Sequence, residues 1–165
     1  MIRPALLVVL SLVVQRALSS PGLPSWPSEV IFPAVWIVAP PLRRHEPRWP
    51  YLALLIGIGW DLLMEPVVGP GGIAWSAAAL GLYGIAGVVA DRSPRAWAAL
   101  GAAGAVILVL VRQIALLPLG LASFPTMELL FRTVVLTGAW CGLVGGVLAL
   151  DLPARWRSYR VRTLR

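Results

Sequence analysis

Six ionisable residues fall within, or at the ends of, long apolar stretches of the chain. They are Arg16, Asp61, Glu65, Arg112, Glu128 and Arg132. In hydrocarbon each costs at least about 2.5–3.5 kcal/mol at mid-depth unless it is paired or faces water. Asp61 and Glu65 share a helix face by their spacing of four, and so do Glu128 and Arg132. Two interpretations stay open: a charge-balanced network that fixes helix packing, or a small water-filled pocket that binds a ligand.

The depth of these residues can be estimated from the helical rise. Counting from the inner surface puts Asp61 at about 16 Å, Arg16 at about 18 Å and Arg112 at about 24 Å. Arg132 comes out at about 12 Å below the outer surface. All four therefore fall in the outer half of a bilayer, and we expect a polar centre between helices that is open, or nearly open, to the outer side.

Enzymatic chemistry is not indicated by the residues that would have to perform it. The chain has one histidine, His45, and one cysteine, Cys141, which cannot build a zinc site or an internal disulfide. No GxSxG, HExxH or Walker A motif is present. A serine nucleophile needs a base, and His45 lies in a loop. We expect no catalytic residue, no metal and no cofactor.

The composition indicates an integral membrane protein. Of 165 residues, 59% are hydrophobic and 13% are charged, whereas soluble domains are about 45–50% apolar and about 25% charged. The same numbers exclude a disordered chain. The formal charge is +7, and all 14 basic residues are arginine. In a soluble chain this excess would suggest nucleic acid, but here the arginines have to be placed relative to a bilayer, and no nucleic-acid partner is expected.

Six apolar segments follow one another, and each is predicted to span the membrane as a helix. They lie at about residues 4–18, 28–42, 50–68, 70–90, 96–119 and 124–150. A span needs roughly 20 apolar residues, so the first two are short and are expected to tilt, kink or thin the bilayer. The predicted fold is therefore all-α: a polytopic, six-helix transmembrane domain at 1–150, followed by a basic cytoplasmic tail at 151–165.

Arginine sets the predicted orientation. The arginines assigned to the cytoplasmic side are Arg3, Arg43, Arg44, Arg48, Arg92, Arg95, Arg155, Arg157, Arg160, Arg162 and Arg165. The other three loops, around Leu23, Gly69 and Ser123, contain none. By the positive-inside rule both termini are cytoplasmic in a multi-pass membrane protein, and the tail is suited to anionic lipid headgroups.

Small residues line one face of the last segment. Gly138, Gly142 and Gly146 form a tandem GxxxG, a spacing that lets helix backbones approach closely. The stripe predicts either packing inside the bundle or a groove for a partner's transmembrane helix. Ala77, Gly81 and Gly84 form a similar stripe in the fourth segment, with the same two interpretations.

The third segment carries a recognisable motif. Residues 54–63 read LLIGIGWDLL and lead through Gly69 and Gly72 into a small-residue helix containing Tyr83. This resembles the rod shape-determining protein MreD family, whose members share a Gly-rich span ending in Asp, a short outer loop with Gly, and a following span. The resemblance covers roughly residues 50–90. Chain length, six predicted spans and the basic tail are also similar to that family.

The resemblance implies a non-enzymatic subunit of the bacterial cell-elongation machinery in the inner membrane. Proteins of this kind associate with the single-span protein MreC, and through it with the peptidoglycan synthase RodA and its class B penicillin-binding protein. The resemblance also implies a fold like that of the S-components of ECF vitamin transporters, with an outward-facing cavity. Only Asp61 is carried over by motif position; the other polar residues rest on the depth estimate.

Two functions from different classes remain. The first is a scaffold or regulatory subunit in the control of cell shape. The second is an S-component-like subunit that binds a small molecule such as a vitamin and depends on an ATPase module. A third, an intramembrane enzyme, lacks candidates for acid, base and nucleophile.

Overall fold

A computed structural model describes residues 2–22, 24–43, 49–65, 67–86, 93–121 and 125–149. Within these ranges the regular structure is helical and contains no strand, which confirms the all-α fold class. The helices are α1 (Ile2–Leu18), α2 (Trp26–Glu29), α3 (Val35–Arg43), α4 (Trp49–Met64), α5 (Pro70–Ala86), α6 (Pro94–Leu116) and α7 (Met127–Ala149). The 151–165 tail and His45 lie outside the described residues.

The second predicted segment is not one continuous helix. The short α2 ends at Glu29, and Val30 is extended with φ −78° and ψ 128°. A 3-10 turn, Phe32–Ala34, then leads directly into α3. Proline occupies the first turn of both α2 and the 3-10 turn, where its missing N–H and fixed φ are tolerated. Pro33 therefore helps to start a new helix, whereas the sequence suggested a kink in an existing one.

Two helical stretches among the described residues are long and apolar enough to cross a bilayer: Pro94–Leu119 with 26 residues and Met127–Ala149 with 23. Helices α1, α4 and α5 are shorter, with 17, 16 and 17 residues. At 1.5 Å per residue these reach about 24–26 Å, somewhat less than a hydrocarbon core of about 30 Å. The length criterion thus supports a membrane protein and is met by two of the predicted spans.

The outer surface of the bundle is apolar. On α1, Leu6 is 62% exposed and Val13 is 52% exposed, and on α7 Leu143 is 67% exposed. Soluble monomers rarely expose contiguous apolar patches larger than a few hundred Å². Faces of this kind are suited to lipid.

The helices pack as successive neighbours around a short central helix. α4 packs on α5, α5 on α6 and α6 on α7, while α3 contacts all four of these helices. Ala34, Ile37 and Val38, in and just before α3, are almost completely buried. The break before α3 therefore lies next to the middle of the bundle.

The glycine stripe of α7 faces α6. A Cβ atom on Gly138 would lie 3.1 Å from the carbonyl oxygen of Ala98, and one on Gly142 would lie 3.0 Å from the Ala98 Cβ. Gly146 is looser, with 3.9 Å to the Pro94 Cγ. Because Ala98 and Pro94 belong to α6, these glycines serve packing inside the bundle.

A still closer approach of α6 and α7 involves residues outside that stripe. A Cβ atom on Gly101 would lie 2.6 Å from the Cβ of Cys141, which is fully buried. A Cβ atom on Gly145 would lie even closer to the ring of Trp97. Cys141 is thus a small packing residue, as its position in the middle of an apolar segment predicts.

Candidate functional site

The polar residues gather at one end of the bundle, where α1, α4 and α6 end and where α5 and α7 begin. The loops at this end connect 18 to 26, 64 to 70 and 119 to 127, and they are the three loops without arginine. This is the end that the positive-inside rule assigns to the outer side. We call it the arginine-poor end.

Asp61, the last polar residue of α4, is completely buried. Its carboxylate accepts backbone N–H groups from Gly69 at 2.7 Å, from Gly71 at 2.9 Å and from Gly72 at 3.4 Å. Gly71 and Gly72 lie in the first turn of α5, and Gly69 directly precedes that helix. The leading N–H groups of a helix have no partner within it, and the helix dipole favours an anion there. The partner of Asp61 is therefore a helix N-terminus, whereas the charge balance suggested an arginine.

Glycines bring α4 and α5 close enough for this contact. A Cβ atom on Gly57 would lie 2.6 Å from both the Gly71 carbonyl oxygen and the Gly72 Cα. At Gly71 a Cβ atom would collide with the Asp61 carboxylate. We call Gly57, Asp61, Gly71 and Gly72 the hairpin clasp. It explains why the Gly-rich stretch, the aspartate and the loop glycines occur together in the motif.

Glu65 and Arg112 form an ion pair between the end of α4 and the last turns of α6. The Glu65 side chain is 10% exposed and the Arg112 side chain 34% exposed. The pair joins residues 47 positions apart in the chain. It is the contact that most resembles the predicted polar centre, because it neutralises two charges from distant segments at the arginine-poor end.

Glu128 and Arg132 pair with each other along α7, as their spacing predicts. Both are exposed, with 72% of the Glu128 side chain and 55% of the Arg132 side chain accessible. Among the described residues, neither makes an ion pair with Asp61, Glu65 or Arg112. This pair lies on the outside of the bundle.

Arg16 is exposed, and its neighbour Gln15 takes the inward position. The Gln15 Oε1 accepts the N–H of Phe32 at 3.0 Å, and its Nε2 donates to the carbonyl of Ser28 at 3.3 Å. No ion pair of Arg16 is found in the part of the chain that the structure describes. Within the described residues, the six predicted side chains thus form a clasp, a partly buried bridge, a surface pair and a separate arginine, and they do not form one network.

Polar side chains also hold the break between α2 and α3. Thr137 Oγ1, buried on α7, accepts the N–H of Ile31 at 3.1 Å. The indole Nε1 of Trp140 donates to the carbonyl of Phe32 at 3.1 Å, and the two rings meet edge to face with centroids 5.1 Å apart. Irregular backbone is tolerated at membrane depth only where it is buried in protein or lines a cavity.

A cavity of about 250 Å³ lies beside this break. It is bounded by the break itself, the end of α4, the start of α5, the end of α6 and the start of α7. Trp60 and Trp75 form part of its wall, with ring centroids 5.9 Å apart. The polar residues that line it are Ser28, Glu29, Arg112, Gln113 and Thr133.

Three polar atoms of the cavity lining are buried without a hydrogen-bond partner among the described residues. They are Glu29 Oε2, Arg112 Nε and Gln113 Oε1. Buried polar groups are normally hydrogen-bonded, and each exception calls for an explanation such as a bound water or ligand. Here all three belong to residues that line one cavity, although they come from different elements.

Sequence reasoning missed the uncharged polar residues and one acid. Gln15, Gln113 and Thr137 stand inside apolar segments, and a count of polar as well as charged residues there would have found them. Glu29 lies near the start of the second segment, and its position in the sequence is typical of a loop residue. In the structure the helix breaks directly after it, and Glu29 lines the cavity.

Gln15→Leu is expected to destabilise the bundle, because the N–H of Phe32 loses its acceptor. A buried group left unsatisfied costs about 1–3 kcal/mol. Arg16→Leu, one residue along, should have a smaller effect, since Arg16 is exposed. Thermal unfolding of both variants in nanodiscs measures the difference; an equal loss in the two would contradict the inward position of Gln15.

A double-mutant cycle tests the bridge between α4 and α6. Glu65→Gln and Arg112→Gln should each lower stability, and the double variant should lose less than the sum, with a coupling of about 0.5–3 kcal/mol. The matched cycle on Glu128 and Arg132 should give only about 0.2–1 kcal/mol, because that pair is exposed. Equal coupling in the two cycles would argue against a bridge that is shielded from solvent.

Comparison with family models, with curated proteins and with solved structures finds no match to this chain.

Proposed function

We propose that this protein is a non-enzymatic, multi-span subunit of a bacterial cell-elongation complex in the inner membrane. In this role it binds an MreC-like single-span protein and supports peptidoglycan synthesis by RodA and its class B penicillin-binding protein. The observation that carries the proposal is the hairpin clasp. The residues that resemble the MreD motif are the ones that join α4 to α5, so the motif has a definite structural purpose in this chain.

The proposed topology is six spans with both termini in the cytoplasm. It is supported by the arginine distribution and by the exposed apolar faces of α1 and α7. Trp26 and Tyr51 lie at opposite ends of the bundle and are 60% and 70% exposed, as expected of aromatic residues at the two interfaces of a membrane. Short spans such as α1 and α4 can be accommodated by local thinning of the bilayer.

A scaffold role agrees with the way the bundle is built. The clasp, the bridge and the glycine contacts of α6 with α7 all hold helices against one another. A rigid bundle of this kind can present a fixed lipid-embedded surface to a single-span partner. The exposed apolar side chains of α1 and α7 provide the area for such a contact.

Co-purification from the source cells tests the proposal. Tagged protein extracted in mild detergent should bring down an MreC-like single-span protein together with a RodA-like synthase, and depletion should produce round cells. Glu128→Gln should behave as the unaltered chain does, because Glu128 lies on the surface and outside the clasp. Normal rod shape after depletion, with neither partner in the pull-down, would rule the proposal out.

A second candidate is a small-molecule-binding transporter subunit of the S-component type. The cavity at the arginine-poor end favours it, because its lining includes buried polar atoms that have no partner in the part of the chain that the structure describes. This candidate differs in its partners: the pull-down should contain ATPase subunits in place of a cell-wall synthase. The two functions can therefore be told apart by one mass-spectrometric analysis of the purified complex.

A further inference from the structure

We propose that the cavity beside the helix break is a binding site for a small organic cation that carries N–H donors on a flat, apolar body. Glu29 would bind the cationic group, Gln113 would accept a further N–H, and Trp60 and Trp75 would contact the body. The inference goes beyond the proposed cell-elongation role, which does not require this cavity, and it names the ligand chemistry that the small-molecule-binding candidate leaves open.

The charges of the lining favour a cation. Two lining residues are charged, Glu29 and Arg112. The Arg112 charge is already matched by the ion pair with Glu65. Glu29 has no ion-pair partner among the described residues. One negative charge therefore remains without a counter-charge in a site surrounded by apolar helices, where an unpaired charge is costly.

The buried polar atoms without a partner among the described residues also favour a cation over an anion. Glu29 Oε2 and Gln113 Oε1 are acceptors, and Arg112 Nε is a donor. The two oxygens need at least two N–H donors from a ligand, whereas the Arg112 Nε–H needs one acceptor, which a water molecule in the cavity can supply. Ammonium and amidinium groups supply donors in that number, whereas a carboxylate or phosphate supplies only acceptors and would leave both oxygens unsatisfied.

The tryptophan side chains in the cavity wall and the cavity volume limit the shape and size of the ligand body. Trp75 is buried and Trp60 is half-buried, and a cation near a tryptophan face is attracted by the ring, the more so where water is excluded. The volume of about 250 Å³ lies just below the range of about 300–1,000 Å³ that holds drug-sized ligands. The ligand is therefore compact, because the cavity has room for one ring.

The cavity has a route to the arginine-poor end. Ser28 and Leu129 line it and are both exposed, so its mouth lies between the helix break and the start of α7. A polar ligand would enter there without crossing the apolar core around α3.

A series of three compounds that have similar shapes but different charges tests the proposal. The full-length protein is placed in nanodiscs of phosphatidylcholine and titrated with benzamidinium, neutral benzamide and benzoate, followed by tryptophan fluorescence and thermal shift. We expect saturable binding of benzamidinium, at least tenfold weaker binding of benzamide, and none of benzoate. Glu29→Gln should weaken benzamidinium binding at least tenfold, while Arg16→Gln, at an exposed position, should leave it unchanged.

Several results would overturn the proposal. Equal binding of all three compounds would indicate simple partitioning, and preference for benzoate would indicate an anion site at Arg112. Failure of benzamidinium to saturate at millimolar concentration would indicate a cavity filled by water only. The charge series on the unaltered protein decides the matter even if Glu29→Gln folds poorly, and because it needs no partner protein, it can fail while the proposed complex stands.

Discussion

Asp61→Leu should unfold the arginine-poor end of the α4–α5 hairpin and lower the stability of the whole bundle by several kcal/mol. The substitution removes the acceptor of three backbone N–H groups. Each buried group left unsatisfied costs about 1–3 kcal/mol, and total stabilities are only about 5–15 kcal/mol. We expect poor accumulation in membranes and a much lower melting temperature in detergent.

Two comparisons make this result specific to the clasp. Asp61→Asn keeps one carbonyl oxygen as acceptor and should lie between the leucine variant and the unaltered protein. Glu128→Leu removes an exposed carboxylate from another helix and should change the melting temperature little. If Asp61→Leu and Glu128→Leu melted alike, Asp61 would not hold the start of α5.

Gly57→Leu is the second substitution with a large expected effect, because it separates the backbones of α4 and α5. Even a Cβ atom at this position would lie 2.6 Å from the Gly72 Cα, so backbone must move. Forcing extra carbons into a packed core costs about 1–3 kcal/mol, and here the movement would also stretch the hydrogen bonds of Asp61. We expect loss of the folded protein on size-exclusion chromatography.

A sharper test is whether substitution of each glycine by alanine raises or lowers the stability of the protein. Gly84, on α5, has open space around its Cβ position. Alanine is favoured over glycine inside a helix by about 1 kcal/mol, so Gly84→Ala should be neutral or stabilising, whereas Gly57→Ala should destabilise. Stabilisation by both substitutions in the same thermal-shift assay would contradict the close helix approach.

The positions of the helices could be read from the sequence, because long apolar runs bounded by proline, glycine and arginine leave little choice in a hydrophobic chain. The break at Val30 could not, because it depends on side chains from other helices. Gln15 and Thr137 supply the hydrogen bonds that allow the backbone to leave the helix. A pattern within one segment does not show such partners.

The sequence could predict at which end of the bundle the candidate site lies, but not which residues form it. The depth estimate put charges near the outer side, and Glu65 with Arg112 does lie at the arginine-poor end. The charge balance predicted that each carboxylate pairs with an arginine, whereas the Asp61 carboxylate binds the N-terminus of α5. Arg16 and Gln15 illustrate the other difficulty, since one residue along a helix turns a side chain by about 100° and exchanges inside for outside.

In the proposed topology, the cavity opens on the side of the membrane opposite the cytoplasm. Thiol labelling in spheroplasts tests it most directly. With Cys141 replaced by alanine, single cysteines are introduced as Ser28→Cys at the cavity mouth and Tyr51→Cys at the other end of the bundle. A membrane-impermeant maleimide should label Ser28→Cys from outside and Tyr51→Cys only after permeabilisation. The reverse pattern, or labelling of neither variant until the membrane is broken, would contradict this topology.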